Sequence, residues 1–131
     1  MKMFGIYVHQ NRVRYADLIV EGYKPVETRT RNMLKNLIGQ RVAVIRTRDG
    51  KPADIVGYVT INRAEYHTRD ELDSDAMRLW QTLIPPGSRY DCTGAGKWCY
   101  YLSRPEKLDT PVRLDDIPVI RKTRSYAVID L

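Results

Sequence analysis

Residues 41–62 constrain the fold more than any other stretch. RVAVIRTR (41–48) and DIVGYVTIN (54–62) are rich in β-branched side chains, and DGKP (49–52) between them carries turn chemistry. Together they predict a hairpin with a somewhat long connection. KMFGIYV (2–8), KWCYYLS (97–103), PVRL (111–114) and SYAVIDL (125–131) also read as strands, the last in the interior of a sheet.

Helical signals are fewer and shorter. From Arg12 the period changes, with Tyr15, Leu18 and Ile19 on one face, Ala16 and Val20 beside them, and Gly22 placed for a left-handed cap. RNMLKNLIG (31–39) reads as a short helix or helical turn closed by Gly39. Thr68 and Glu71 have the spacing of a capping box. Beyond them Ala76, Met77, Trp80, Leu83 and Ile84 make an apolar stripe, read as core packing and stopped by Pro85-Pro86-Gly87. Five to seven strands with two or three helices predict an α+β fold, mostly β: a small barrel with short helices packed at its ends, in one domain over 1–131.

Charge narrows the partners. The net charge of +6 lies in one half: residues 1–63 hold 12 Lys/Arg against 5 Asp/Glu, while 64–131 hold 10 against 11. A basic half suits a polyanion such as RNA, and it equally serves solubility. No apolar run approaches the length needed to span a bilayer, and MKMFGIYVHQ turns polar too soon for a secretory signal. The expectation is a cytoplasmic protein with no membrane partner and no segment removed.

Several chemistries lack their residues. Cys92 and Cys99 have no CxxC spacing, and His9 and His67 lie far from them in sequence. Neither a metal site nor a cofactor is expected, and the cysteines read as buried free thiols. TGAGK (93–97) fails as a phosphate loop, because Asp91 stands where Gly is needed and Trp98 where Ser or Thr is needed. It also leads into a strand, so no helix N-terminus follows it. No Gly-x-Ser-x-Gly elbow or HExxH is present, so any catalysis rests on Lys, Glu, Asp, Thr or Tyr.

EGYKPVETR (21–29) is the stretch with most to explain. Val26, Thr28 and Thr30 alternate with Glu27, Arg29 and Arg31, so a strand here gathers three charges on one face. Exposed, a Lys24–Glu27 ion pair is worth little. Enclosed in a pocket, the same pair can hydrogen-bond a nucleobase, with Arg29 on a phosphate, and burial lowers the lysine pKa toward acid–base use. On local composition alone the ion-paired turn is the simpler reading.

YVHQ followed by YADLIVEGYKPVETRTR resembles the signature of the ASCH domain, a branch of the PUA-like superfamily. The matching residues are Gln10, Tyr15, Ala16, Leu18, Ile19, Gly22, Lys24, Glu27 and Arg29, the last four forming Gly-x-Lys-x-x-Glu-x-Arg. The strand at 41–48, IVGYVTI (55–61), GKWCYYLSRPEKL (96–108) and RSYAVIDL (124–131) fit as well, so the resemblance covers nearly the whole chain. One departure stands out. The family has Gln-Pro before the aromatic residue, whereas Gln10 here is followed by Asn11 and a few extra residues.

The resemblance implies a β-barrel with a cleft for RNA or a nucleotide-like ligand. Lys24, Glu27 and Arg29 are then at the cleft and Gln10 on its rim, with Tyr15 and Trp98 stacking on a base or packing the wall. For Trp98, its place in an aromatic strand favours packing. Arg31, Arg46 and Arg48 are the candidate contacts to an RNA backbone. A subset of the family deacylates N4-acylated cytidine with a Lys, a Thr and a later carboxylate. Here Lys24 is retained, Glu27 stands at the Thr position, Thr28 should turn to the other face, and Asp73 or Asp75 is the candidate carboxylate. Glu27 acting as a general base on water keeps hydrolysis open, with Lys24 and Asp75 beside it. Ribonuclease activity also occurs in the family, although no well-placed His pair supports it here. The expectation is an RNA- or nucleotide-binding domain, with enzymatic activity open. A module whose basic half meets an acidic protein is the third reading.

Overall fold

The computed structural model describes residues 1–131. The expected hairpin forms from β3 (Arg41–Arg48) and β4 (Lys51–Thr68). Its turn is tighter than expected. Only Asp49 and Gly50 lie between the strands, with Gly50 at φ +71°, so Lys51 and Pro52 already belong to β4. β4 also runs six residues past 62 and pairs with β5 (Gly96–Arg113), which joins KWCYYLS and PVRL into one strand. Register shifts at Ile55/Gly57, Tyr58/Thr60 and Ile61/Arg63 bend this long ladder and increase its twist.

β1 (Lys2–Gln10) lies parallel to β3 and antiparallel to β7 (Tyr126–Asp130), which is an interior strand as expected. β2 (Val26–Arg29) forms one edge against β5, and β6 (Val119–Lys122) forms the other against β7. The order is β2-β5-β4-β3-β1-β7-β6. The α+β, mostly β class with three short helices is as expected, but the sheet does not close into a barrel ladder. β6 was not anticipated. All four of its residues are exposed and two are charged, so it lacks the pattern of a half-buried strand.

The main core lies between one sheet face and α1 (Tyr15–Val20). Ile6, Val8, Val42, Val44, Val59 and Ile61 meet Tyr15, Ala16, Ile19 and Val20 there. Gly57 permits the contact: a Cβ at that position would stand 2.0 Å from the Glu106 carbonyl oxygen and 2.8 Å from Val20 Cγ1. α2 (Arg69–Leu72) starts at the predicted capping box, where Thr68 and Glu71 exchange side chain–backbone bonds.

α3 (Asp75–Trp80) departs from expectation. It ends at Trp80, so Leu83 and Ile84 are not on it and the five-residue stripe never assembles. Ile84 is buried and Met77 half-buried, but Leu79 is 61% and Trp80 72% exposed. Leu83 instead takes a left-handed conformation at φ +56°, uncommon for a branched residue. Cys92 and Cys99 are buried free thiols. No helix is long and apolar enough to cross a membrane.

Candidate functional site

The site begins with the way α1 ends. Gly22, at φ +89°, lets its own N–H bond to the Ile19 carbonyl while the Tyr23 N–H bonds to that of Leu18, which is the Schellman pattern. The Lys24 N–H also reaches the Leu18 carbonyl, at 3.1 Å. That reversal carries the chain under the helix and drops the Lys24 side chain inward, where it is 1% exposed. Its Nζ donates to the Thr82 carbonyl oxygen, lies 3.8 Å from Glu27 Oε1, and sits 5.1 Å from the centre of the Tyr15 ring.

Glu27 is buried beside it. Oε1 accepts from the Thr28 N–H at 3.1 Å and Oε2 from Arg29 Nη1 at 2.6 Å. Arg29 is then held at its far end, because Nη2 donates to the Tyr7 carbonyl at 2.6 Å and ties the β2 edge back to β1. A third cation approaches from β5. Lys97 Nζ donates to the Tyr90 carbonyl at 2.6 Å and to the Thr28 hydroxyl at 3.4 Å. Three cations thus surround one buried carboxylate.

The electrostatics follow from that imbalance. Burial lowers the Lys24 pKa to about 8, against the opposing pull of Glu27. Burial works to raise that of Glu27, yet the charges of Arg29 and Lys24 and the bonds from Arg29 and the Thr28 N–H hold it below the ordinary carboxylate value. Burial also lowers the pKa of Lys97. Lys24 is therefore held closer to its neutral form at neutral pH than an exposed lysine is.

The cleft over this cluster is lined by Val8, His9, Tyr15 and Ile84, by Lys24 and the Glu27–Arg29 segment, and by Tyr90. Its depth admits about 40 Å³, room for a few waters or the polar edge of a larger molecule. Tyr15 and Tyr90 meet edge to face, ring centres 5.8 Å apart, and form the wall between this cleft and a neighbouring groove of about 400 Å³.

The structure brings together Lys24, Glu27, Arg29 and Tyr15, and separates the other predicted site residues from them. Gln10 is used inside the fold: its Oε1 accepts the Asp17 N–H at 2.9 Å and its Nε2 donates to Asp17 at 3.2 Å, which caps the first turn of α1. Trp98 packs on the main core and against Tyr66, ring centres 5.6 Å apart, and does not line the cleft. Arg46 cannot serve as a free backbone contact, because it is bound to Asp54 at 2.5 and 2.8 Å and to Asp17 at 3.1 Å. Arg48 leans on Asp54 at 3.5 Å. Arg31 is exposed beyond the end of β2, so the three charges do not share one strand face. Asp75 is exposed in the first turn of α3 and Asp73 is held by Arg78, so neither lines the cleft.

Thr28 was expected on the other face, yet it lines the cleft with Lys24 and Glu27, and its hydroxyl accepts from Lys97 at 3.4 Å. Setting TGAGK aside as a failed phosphate loop missed Lys97. His9, Tyr90 and the Thr82 carbonyl were also missed, since nothing local marks residues that reach a site from other strands and loops. For Lys97 a signal existed: a lysine within GKWCYY, alternating with aromatic residues, is a candidate for burial.

No protein-family model matches the chain, and no curated protein matches it significantly. Solved structures do. A serine-to-alanine variant of the ASCH protein from Zymomonas mobilis is similar with 23% identity and a TM-score of 0.65, over 85% of this chain and 75% of that one. The unsubstituted ASCH protein from the same organism is similar with 20% identity and a TM-score of 0.66, over 85% of this chain and 74% of that one. A tyrosine-to-phenylalanine variant gives 20% and 0.65, over 85% and 76%. At this identity the likeness speaks for the backbone arrangement, and the chain has the ASCH fold.

Proposed function

We propose that this protein binds RNA or a nucleotide in the cleft above Lys24 and Glu27. One observation carries the reading: a buried lysine and carboxylate lie side by side in a cleft walled by two tyrosines, with more positive than negative charge around them. Glu27 accepts and Lys24 donates at the edge of a base, while the surplus cations favour an attached phosphate. Arg29 acts by positioning Glu27, because its own donors already hold Glu27, Thr28 and Tyr7. The likeness in fold to ASCH proteins is consistent with this reading.

A second reading is favoured by the lowered pKa of Lys24. A lysine partly neutral near pH 7, beside a carboxylate, can shuttle a proton during hydrolysis of an N-acylated nucleoside or of RNA. Lys24 or Glu27 would take the proton from an attacking water, since the Thr28 hydroxyl is engaged by Lys97 and has no bond to Lys24.

Both readings meet in one experiment. Single-stranded RNA binding and release of cytidine from N4-acetylcytidine are measured on wild type and on Lys24→Ala. Salt-sensitive RNA binding lost in the variant, without turnover, supports recognition alone. Turnover lost in the variant supports the hydrolase. Wild-type RNA affinity in Lys24→Ala, with no turnover in either protein, rejects the cleft as the site.

A further inference from the structure

The groove beyond the tyrosine wall has a chemistry of its own. Its cations are Arg12 and Arg89, both exposed, and its lining contains no carboxylate. Neither guanidinium is in an ion pair, whereas their neighbour Arg14 is bound to Asp17 and Glu21. The Arg89 guanidinium lies over the Tyr90 ring, 5.4 Å from its centre, and its N–H groups make no hydrogen bond. Asp91 is the nearest acidic residue in sequence, and it is turned away. Its carboxylate accepts the Gly87 and Cys92 N–H groups, each at 2.8 Å, and Arg78 at 3.2 Å. Two unneutralised guanidiniums facing one concave surface form the pattern that binds a phosphate in two directions.

The groove shares Tyr15 and Tyr90 with the cleft, so a group in one is a neighbour of a group in the other. Arg12 also sits among the extra residues after Gln10, where the chain departs from the ASCH pattern. We propose that Arg12 and Arg89 form a phosphate subsite flanking the cleft, so that its ligand is a nucleotide or an RNA strand rather than a free nucleoside. This rests on the cleft being a nucleotide site. It assigns the phosphate contacts to the Asn11–Val13 and Pro85–Tyr90 segments and not to Arg46 or Arg48.

The test compares the four ribonucleosides, their 5′-monophosphates and a fluorescein-labelled single-stranded RNA hexamer. Each is titrated against wild type, Arg12→Ala/Arg89→Ala, Arg12→Lys/Arg89→Lys and Lys24→Met, with melting temperatures as the folding control. At least one monophosphate should bind wild type tenfold or more tightly than its nucleoside. The double alanine variant should erase that difference and leave the nucleoside affinity unchanged, while the double lysine variant keeps most of it. For the hexamer, the slope of log affinity against log salt should fall by about 1 to 1.5 in the double alanine variant. A response confined to the hexamer supports an internal phosphodiester as the source of the phosphate, and a response of the monophosphates too supports a terminal one.

Equal wild-type affinity for nucleoside and monophosphate, with a hexamer indifferent to both arginines, overturns the subsite. If Lys24→Met alone weakens binding, the subsite falls and the cleft reading stands. Absence of binding by every probe to wild type overturns both.

Discussion

Burying an ammonium removes hydration that its neighbours must replace, and at Lys24 the replacement is partial. One carbonyl, one carboxylate at 3.8 Å and one aromatic face surround it, so its pKa falls from 10.5 to about 8. The unfolded chain therefore holds this proton between about pH 8 and 10.5, where the folded protein has released it. Stability from this group rises with pH across that window. Cys99, whose burial raises its pKa from 9.0 to about 11, works in the opposite direction and masks the effect in wild type alone. The comparison with Lys24→Met isolates it. Urea denaturation at pH 7.5 and 10.5 should show wild type gaining on the variant by on the order of 3 kcal/mol as pH rises. A difference that does not change with pH would mean that Lys24 titrates as an exposed lysine.

The carboxylate partner predicts a different loss. Glu27→Gln keeps the shape but leaves Lys24, Arg29 and Lys97 without a counter-charge. Breaking one side of a buried ion cluster costs about 3–5 kcal/mol. A fall in melting temperature, partly restored by phosphate or by high salt, is the expected result. Gln10→Ala tests a residue that the motif presents as a ligand contact. It should lower stability by about 1–2 kcal/mol through loss of the α1 cap, with nucleotide affinity unchanged in binding titrations.

At the scale of elements, the contact between α1 and the β4–β5 ladder positions the motif. Gly57→Ala places a methyl against the Glu106 carbonyl and Val20, so the ladder or the helix must move. Thermal denaturation should show a loss of about 1–3 kcal/mol, and the shift of α1 should weaken binding at Lys24 too. A variant as stable as wild type would contradict the tight contact. This scale also shows what was legible in the chain. The 41–62 hairpin, the cap at Gly22 and the capping box at Thr68 were readable because each rests on neighbours in sequence. The α3 stripe was not, because its spacing suited a longer helix, whereas α3 stops at Trp80 with Gln81 as its cap and Leu83 follows in a left-handed conformation. β6 was invisible because its ladder to β7 uses backbone groups and no pattern of buried side chains.

At the scale of the molecule, the sheet brings together segments that sequence keeps apart. Val8 and His9 come from β1, Lys24 to Arg29 from the α1–β2 connection and β2, and Ile84 and Tyr90 from the long link before β5. Lys24, Glu27 and Arg29 were legible as candidates through their spacing, but Lys97 and the Tyr15–Tyr90 wall required the fold. The excess of basic residues in 1–63 does not act as one surface, since Arg14, Arg41 and Arg46 are paired with acidic side chains. Net charge therefore overstates the electrostatic attraction for a polyanion.

Chemical-shift mapping of the mononucleotides onto the isotopically labelled protein tests the central claim most directly. Dose-dependent shifts concentrated at Val8, His9, Tyr15, Lys24, Glu27 to Arg29, Ile84 and Tyr90, and absent in Lys24→Met, are the result predicted by the cleft. Shifts confined to the separate groove of Tyr7, Leu114, Ile117 and Val119 to Lys122, or no shifts at saturating mononucleotide, would contradict it.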